Sequence, residues 1–466
     1  MLYVNNICCI GAGYVGGPTM AVIANECPDI KVYVVDDDED KIEKWNSPDL
    51  EKLPVFEPGL KSLVKKTRNK NLFFSSNVDS AIKQAQIIFL AVNTPTKVSG
   101  EGKGYAADLS NIVKCSKRIA NVSRDDKIIV EKSTLPVRTA EKIKQVLSAN
   151  SKGINFEVLS NPEFLAEGTA IQDLYKSDRV LIGSENTKRG LDALNFLISI
   201  YERWIPKNKI LTTSVWSAEL SKLASNAMLA QRISSINSLS ALCEKSGASI
   251  EEVSKSIGMD KRIGKDFLNV SPGFGGSCFQ KDILNLVYLC RNYGLDDVAN
   301  YWEGIIKIND YQKNRITKKV VDFFKNKLKD RCISILGWSF KKNTNDSRES
   351  ASIYICKDLL VKGARIYVYD PMVSEKRIIS DVRNQLDLDN FRKSSSKELL
   401  SNLYITKNIN EAIKKTEAIL ILTEWDEFKD YNWERIIKQT AQNLYIFDTR
   451  NIIDKSITRK LYSVGN

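Results

Sequence analysis

The stretch Gly273-Phe274-Gly275-Gly276-Ser277-Cys278-Phe279-Gln280-Lys281-Asp282 has residue types and a spacing that could do covalent chemistry. Residues without a Cβ let a backbone approach a ligand closely, because φ > 0 carries little steric cost there. The apolar run from Ile283 to Leu289 predicts a helix, and Ser277 with Gln280 has the spacing of a capping box that starts it at Ser277. Cys278 then falls in the first helical turn, where the positive end of the dipole favours a thiolate. Asp282, four residues on, shares its face. A nucleophilic sulfur with a carboxylate one turn away suits covalent catalysis. A free cysteine is more often a small buried hydrophobe, so the rest of the chain has to decide.

Composition narrows the chemistry. The sequence has no histidine, so no Ser–His or Cys–His dyad exists and a general base must be Lys, Asp, Glu, Tyr or water. Nine cysteines without paired spacing argue for reduced thiols rather than a disulfide framework, and with no CxxC pair no metal site is expected. The formal charge of +12 is spread along the chain among acidic residues, which points to solvated surface and anionic ligands rather than nucleic acid. No apolar run approaches a membrane span, and Met1 to Asn6 carries no basic leader, so a cytoplasmic location without membrane attachment is expected. At 466 residues, with 43% hydrophobic and 27% charged, the chain suits a soluble protein of several domains.

The elements that must position this chemistry begin at the N-terminus. Ile7 to Ile10 predicts a strand, followed at once by Gly11-Ala12-Gly13-Tyr14-Val15-Gly16, a helix from Pro18 to Ala24, and a strand from Lys31 to Val35 ending in Asp36. This is the dinucleotide-binding fingerprint in its strand–turn–helix–strand–acid setting. Gly11 would make the tight turn, Gly13 would admit the pyrophosphate and Gly16 would let helix and strand pack. Asp36 would take the adenosine ribose hydroxyls, and the acidic Asp37 to Asp40 would repel a 2′-phosphate, which favours NAD over NADP. Later strands end at polar loops, where open parallel sheets bind ligands: Ile87 to Val92 at Asn93-Thr94-Pro95-Thr96, and Lys127 to Glu131 at Lys132-Ser133-Thr134. Phe156 to Leu159 leads into Ser160 to Gly168, which makes Glu163 and Glu167 site candidates.

From Thr213 the pattern becomes helical, with long stretches over 215–247 and 300–328 that could also supply a dimer interface. Glu219, Lys222 and Asn226 share a helical face there, a spacing that also fits a solvated stripe. After Arg331 the α/β rhythm resumes without a GxGxxG, so this part should bind something other than a dinucleotide, and Lys341 and Arg348 suit a diphosphate. The polar segment 381–401 reads as a mobile insertion. The fold expected is α/β: two Rossmann-like doubly wound parallel-sheet domains, over 1–212 and 329–466, joined by a central helical domain over 213–328.

Cys8 to Thr19, Val92 to Thr96, Glu131 to Thr134, Ser160 to Ala170, Glu219 to Asn226, Gly273 to Asp282 and Asp448 to Arg450 together resemble the UDP-glucose/GDP-mannose dehydrogenase family, its animal members most. The resemblance implies an NAD-dependent four-electron oxidation of UDP-glucose to UDP-glucuronate, with two NAD reduced. Cys278 would carry a thiohemiacetal and then a thioester, which water hydrolyses. By the same resemblance Lys222 would stabilise the oxyanion with help from Asn226, while Thr134, Glu163 and Asp282 would handle water and protons. NAD would meet Gly11 to Gly16, Asp36, Lys41, Val92, Asn93 and Thr94, together with Ser133, Thr134, Glu167 and Arg348. The UDP-sugar would meet Glu163, Phe164, Leu165, Ala166 and Glu167, then Lys222, Asn226, Arg262 and Asn269. It would also meet Phe274, Gly275, Cys278, Phe279, Phe340, Lys341 and Arg450. In this family the counterpart of Arg262 crosses a subunit interface, which implies a homo-oligomer, a dimer or a hexamer of dimers. Dehydrogenation of another nucleotide sugar stays open, and Ser271-Pro272 departs from the family pattern by stiffening the glycine loop.

Overall fold

The computed structural model describes residues 5–151, 153–414, 416–439 and 444–466. The chain folds as two compact units, Met1–Ser225 with Leu284–Gly294, and Asn226–Ile283 with Leu295–Asn466.

The first unit is built on strands β1 (Asn6–Ile10), β2 (Lys31–Val35), β3 (Leu72–Ser75), β4 (Ile87–Leu90), β5 (Lys127–Glu131), β6 (Phe156–Ser160), β7 (Val180–Ser184) and β8 (Ile210–Ser214), in the order β3-β2-β1-β4-β5-β6-β7-β8. Side chains alternate across a strand, so a sheet covered on both faces needs apolar residues at every position. Ile7 and Cys9 accordingly join one core while Cys8 and Ile10 join the other, and Ile128 and Val130 oppose Ile129 in the same way. β1 to β6 run parallel, but β6 meets β7 antiparallel and β8 returns parallel to β7, so the two added strands run against the rest. β8 lies outside the strands read from sequence because ILTTS is half exposed and carries no apolar run.

The second unit repeats the plan with β9 (Cys332–Leu336), β10 (Arg365–Tyr369), β11 (Leu403–Ile405), β12 (Ala418–Ile421), β13 (Tyr445–Asp448) and β14 (Leu461–Ser463), all parallel. Their order, β11-β10-β9-β12-β13-β14, is that of the first six strands of the other unit. The segment 381–401 is not a mobile insertion: it lies in the helices Glu375–Leu388 and Lys393–Leu400. Ile378, Val382 and Leu386 bury one face of the first of these, and the buried Asp381 accepts from Trp338 Nε1 at 3.1 Å. Only the outward face is polar, and that face dominates the composition.

Two long helices, Val215–Ser246 and Asp296–Phe323, fill the central segment. A shorter one, Phe279–Asn292, follows the glycine loop. Among the described residues no helix is long and apolar enough to cross a membrane.

Candidate active site

In the first unit the glycine fingerprint forms the turn its spacing predicts. Gly11 has φ +113°, and a Cβ there would lie 2.3 Å from the Ala91 carbonyl oxygen; one on Gly16 would lie 1.9 Å from the Gly11 oxygen. Both glycines are therefore required by close backbone approach. Gly13 faces open space, with nothing within 4 Å of where a Cβ would stand, as a cradle for a pyrophosphate requires. Tyr14 and Val15 are half-buried beside it, and the helix Gly16–Glu26 follows. Asp36 stands at the end of β2 and receives Ala12 N at 2.9 Å, Lys41 Nζ at 2.9 Å and Asp38 N at 3.1 Å. Asp37 is paired with Arg118 at 2.8 Å and Lys114 at 3.4 Å, so its charge is compensated and does not act alone against a 2′-phosphate.

The neighbouring strand ends gather the next group. Ser133 Oγ donates to the Val92 carbonyl at 2.7 Å and Thr94 Oγ1 to the Thr134 carbonyl at 3.1 Å, which ties the β4 and β5 loops together. Thr134 is half-buried and Asn93 exposed. Beyond β6, one oxygen of Glu163 accepts from Phe164 N at 2.9 Å and Leu165 N at 3.2 Å. Its other oxygen lies 2.9 Å from Lys132 Nζ. Ala166 and Glu167 continue this loop, whose Gly168 N and Ala170 N are held by the buried Glu57 at 2.7 and 3.1 Å. The Phe164 ring lies between two cations, with the Arg179 guanidinium 3.9 Å and Lys222 Nζ 5.2 Å from its centroid. Lys222 thus joins the Glu163 loop, and it is buried rather than part of a solvated stripe.

Glu219, on the same helix face, caps the helix Thr139–Asn150: its carboxylate accepts from Arg138 N at 2.7 Å and Ala140 N at 2.8 Å. Glu131, at the end of β5, is fully buried against it. Burial first, then the Glu219 charge, pushes the Glu131 carboxyl well above the ordinary range, and burial raises Glu219 as well.

In the second unit the loop 271–278 is held from below by helix side chains. Asn309 Oδ1 accepts from Phe274 N at 2.8 Å and its Nδ2 donates to the Phe274 carbonyl at 3.0 Å. Gln312 donates to the Ser271 carbonyl at 2.7 Å, and Asn237 accepts from Ser271 N at 3.0 Å. A Cβ on Gly273 (φ +132°) would lie 2.8 Å from Asn309 Oδ1, and one on Gly275 would lie 2.6 Å from the Glu349 carbonyl oxygen. Both glycines are therefore required by the close approach of the protein's own Asn309 side chain and Glu349 backbone. The helix begins at Phe279, one residue beyond Cys278, instead of at Ser277. The Cys278 carbonyl accepts the helix bond from Asp282 N at 2.8 Å, so the thiol stands at the mouth of the helix rather than inside its first turn. Cys278 is exposed, and of the nine cysteines it alone is. Asp282 is buried and accepts from Asn226 Nδ2 at 2.6 Å. Phe274 and Phe279 meet edge to face at 6.0 Å.

Phe340, Lys341 and Arg450 gather at the strand ends of the second sheet. Arg450 donates to the carbonyls of Phe340 at 3.1 Å and Leu422 at 2.9 Å and pairs with Glu424 at 2.9 Å. Arg348 is half exposed and forked onto Asp346, and its carbonyl accepts from Gly276 N at 2.8 Å. Gly337 and Asp370 occupy the places that Gly11 and Asp36 take in the first unit. Asp370, however, receives five close N–H donors, from Trp338, Ser339, Met372, Val373 and the Trp425 indole, at 2.6 to 3.1 Å. Arg262 stands apart: its side chain is 88% exposed and paired with Asp260 at 2.6 Å. Asn269 is also exposed.

Sequence reasoning named Lys132 and Asn161 only as members of strand-end loops and passed over Tyr201, Glu57, Asn237, Asn309 and Gln312. Lys132 was within reach of it, as a lysine between a strand with an apolar middle and the Thr134 loop. The others sit in ordinary helix or loop sequence and are marked by burial alone.

Residues 5–205 match the NAD binding domain of the UDP-glucose/GDP-mannose dehydrogenase family, 216–311 its central domain and 334–455 its UDP binding domain. The chain is 52% identical over 466 residues to UDP-glucose 6-dehydrogenase of Mus musculus, covering 100% of this chain and 92% of the relative. It is 53% identical over 449 residues to that of Drosophila melanogaster, covering 96% and 93%. It is 52% identical to UDP-glucose 6-dehydrogenase 4 of Arabidopsis thaliana, covering 98% and 96%, so animal and plant relatives stand at the same distance. Among solved structures, a UDP-glucose dehydrogenase from the archaeon Pyrobaculum islandicum aligns with TM-score 0.84 and 26% identity over 99% of this chain and 98% of that one.

Proposed function

This chain belongs to the UDP-glucose/GDP-mannose dehydrogenase family and is an NAD-dependent oxidoreductase, and from that premise we propose that it oxidises UDP-glucose to UDP-glucuronate through a covalent intermediate on Cys278. NAD, when bound, supplies the hydride acceptor. The open face of Gly13, the fingerprint turn and Asp36 suit its pyrophosphate and ribose. Loss of a proton and a hydride from the C6 alcohol gives an aldehyde. The Cys278 thiol adds to that carbon to give a thiohemiacetal, and loss of its hydroxyl proton and a second hydride leaves a thioester. Water attacks the acyl carbon, the sulfur leaves, and the carboxylate forms. Covalent attachment keeps the aldehyde from escaping between the two oxidations.

The observation that carries this route is the single exposed thiol among nine, placed where a helix begins. Asp282, held by Asn226 and one helical turn from the thiol in sequence, would direct water or take a proton. Lys222 supplies fixed positive charge for the oxyanion, and its contact with Phe164 keeps it at the Glu163 loop. Glu163 and Thr134 serve proton transfer. Phe340, Lys341 and Arg450 suit the uracil and diphosphate, which matches the UDP binding domain over 334–455.

With limiting UDP-glucose and excess NAD, two NADH form per sugar. One NADH per sugar would mean that aldehyde is released, and the role given to Cys278 would fall. In C278S the first hydride transfer persists while the second half-reaction slows by orders of magnitude; full steady-state turnover there would refute the thioester.

We further read the chain as a self-associating cytosolic protein. Its nine cysteines are free, and Met228, Leu239 and Leu242 on the helix Val215–Ser246 are exposed apolar side chains suited to a second copy. Sedimentation at micromolar concentration gives the mass of a dimer or larger; a monomer would refute this.

A further inference from the structure

We propose that Lys132 is the positioning residue for Glu163, holding its carboxylate in one orientation for proton transfer; this rests on the role given to Glu163 above. Lys132 follows the last residue of β5, and its backbone N–H is fixed on the Leu90 carbonyl at 3.0 Å. Its ammonium is buried, with the side chain 3% exposed, and has three protons to place. Three oxygens surround it: Glu163 Oε2 at 2.9 Å, Asn161 Oδ1 at 3.1 Å and Tyr201 Oη at 3.1 Å. The frame around the cation is itself fixed. Tyr201 Oη donates to Asn161 Oδ1 at 2.6 Å, and Asn161 Nδ2 donates to the Leu181 carbonyl of β7 at 2.8 Å.

Glu163 is thereby held at both oxygens. Oε1 takes the two backbone N–H groups of its own loop, and Oε2 faces Lys132 in an ionic contact without the alignment of a hydrogen bond. That asymmetry leaves Oε2 as the oxygen whose place depends on the cation. Burial works against the Lys132 charge, but Glu163 and then Tyr201 outweigh it and hold the ammonium above the ordinary lysine range. A buried ion pair of this kind adds little net stability over an apolar pair of the same shape, so stability alone gives weak reason for a lysine here. A proton-transfer group, by contrast, needs its oxygen held to within about 0.5 Å.

The test compares K132M, E163Q and the K132M/E163Q double variant by steady-state kinetics with UDP-glucose and NAD. K132M and E163Q each lower kcat by a similar factor, on the order of 10²-fold, while both KM values stay within about threefold. The double variant is no slower than E163Q by more than about threefold, because the two residues act as one unit. A slow E163Q beside a K132M enzyme of unchanged kcat would overturn the inference and leave the role of Glu163 standing. An E163Q enzyme of undiminished kcat would overturn both. If K132M does not fold, the double variant, which carries no uncompensated charge, decides: a kcat within about threefold of that of E163Q supports the inference, and one lower than E163Q by about tenfold or more refutes it.

Discussion

Replacing Asn309 by alanine should loosen the loop that presents Cys278 without unfolding the chain. Asn309 is buried, and its amide satisfies both the N–H and the C=O of Phe274 at 2.8 and 3.0 Å. Alanine leaves two buried backbone groups without partners, at ~1–3 kcal/mol each, so the closed loop loses about 3 kcal/mol once partial rehydration is allowed for. At 1.4 kcal/mol per decade this is a rise of roughly 10²-fold in local opening. Gln312 and Asn237 still hold Ser271, which confines the opening to the stretch beyond it. Hydrogen exchange resolved to peptides covering 272–278 should therefore accelerate by about two decades while the strands of both sheets exchange as before. kcat should fall at least about tenfold, since Cys278 lies four residues beyond the broken clamp and misplacement of a nucleophile is costly. N309D keeps the acceptor for Phe274 N but loses the donor to its carbonyl, and should fall between wild type and N309A. Exchange within threefold of wild type in N309A would refute the clamp. Fast exchange with unchanged kcat would show that the clamp has no bearing on the thiol.

The other predictions concern the thiol, the lysine, the oligomer and pH. C278S should separate the two half-reactions, the K132M/E163Q cycle should be non-additive, and the chain should sediment as a dimer or larger. E131Q should flatten the dependence of thermal stability on pH. The folded-state value of Glu131 is raised by burial and by Glu219, so its contribution is fully present below the unfolded value of about 4.3 and is lost as pH rises through the folded value. Glutamine cannot ionise, so calorimetry of E131Q should show a smaller fall in Tm than wild type as pH rises from about 4.3 upward; parallel curves would refute the raised, buried carboxyl.

Apolar runs made most of the fold legible. The middles of β1 and β5 are buried on both faces and are written in hydrophobes, and Gly11, Gly13 and Asp36 declare a turn that few other sequences can make. β8, β11 and β14 left no such mark, being three to five residues long and partly polar. The segment 381–401 was misread because a helix on the outside of a sheet shows its solvated face in its composition. At the candidate site, type and spacing singled out Cys278 and Asp282. The roles proposed for Lys222 and Asn226 needed family resemblance, because a buried cation and a solvated one look alike in a helix repeat. Asn309 and the contacts of Lys132 escaped notice since each acts across 29 to 69 residues of chain, a relation that no local pattern encodes.

The two matching sheets differ in where a carboxylate's acceptor capacity goes. A carboxylate offers about four lone-pair directions. Asp36 gives three to its own fold and keeps one, whereas Asp370 is filled by the backbone and the indole around it. An inhibitor built to grip the acid after the second strand through a ribose-like diol would therefore find a receptive partner in one fold and a saturated one in the other. Selectivity between two nucleotide pockets of one chain can be designed on that single difference, without any appeal to the bases.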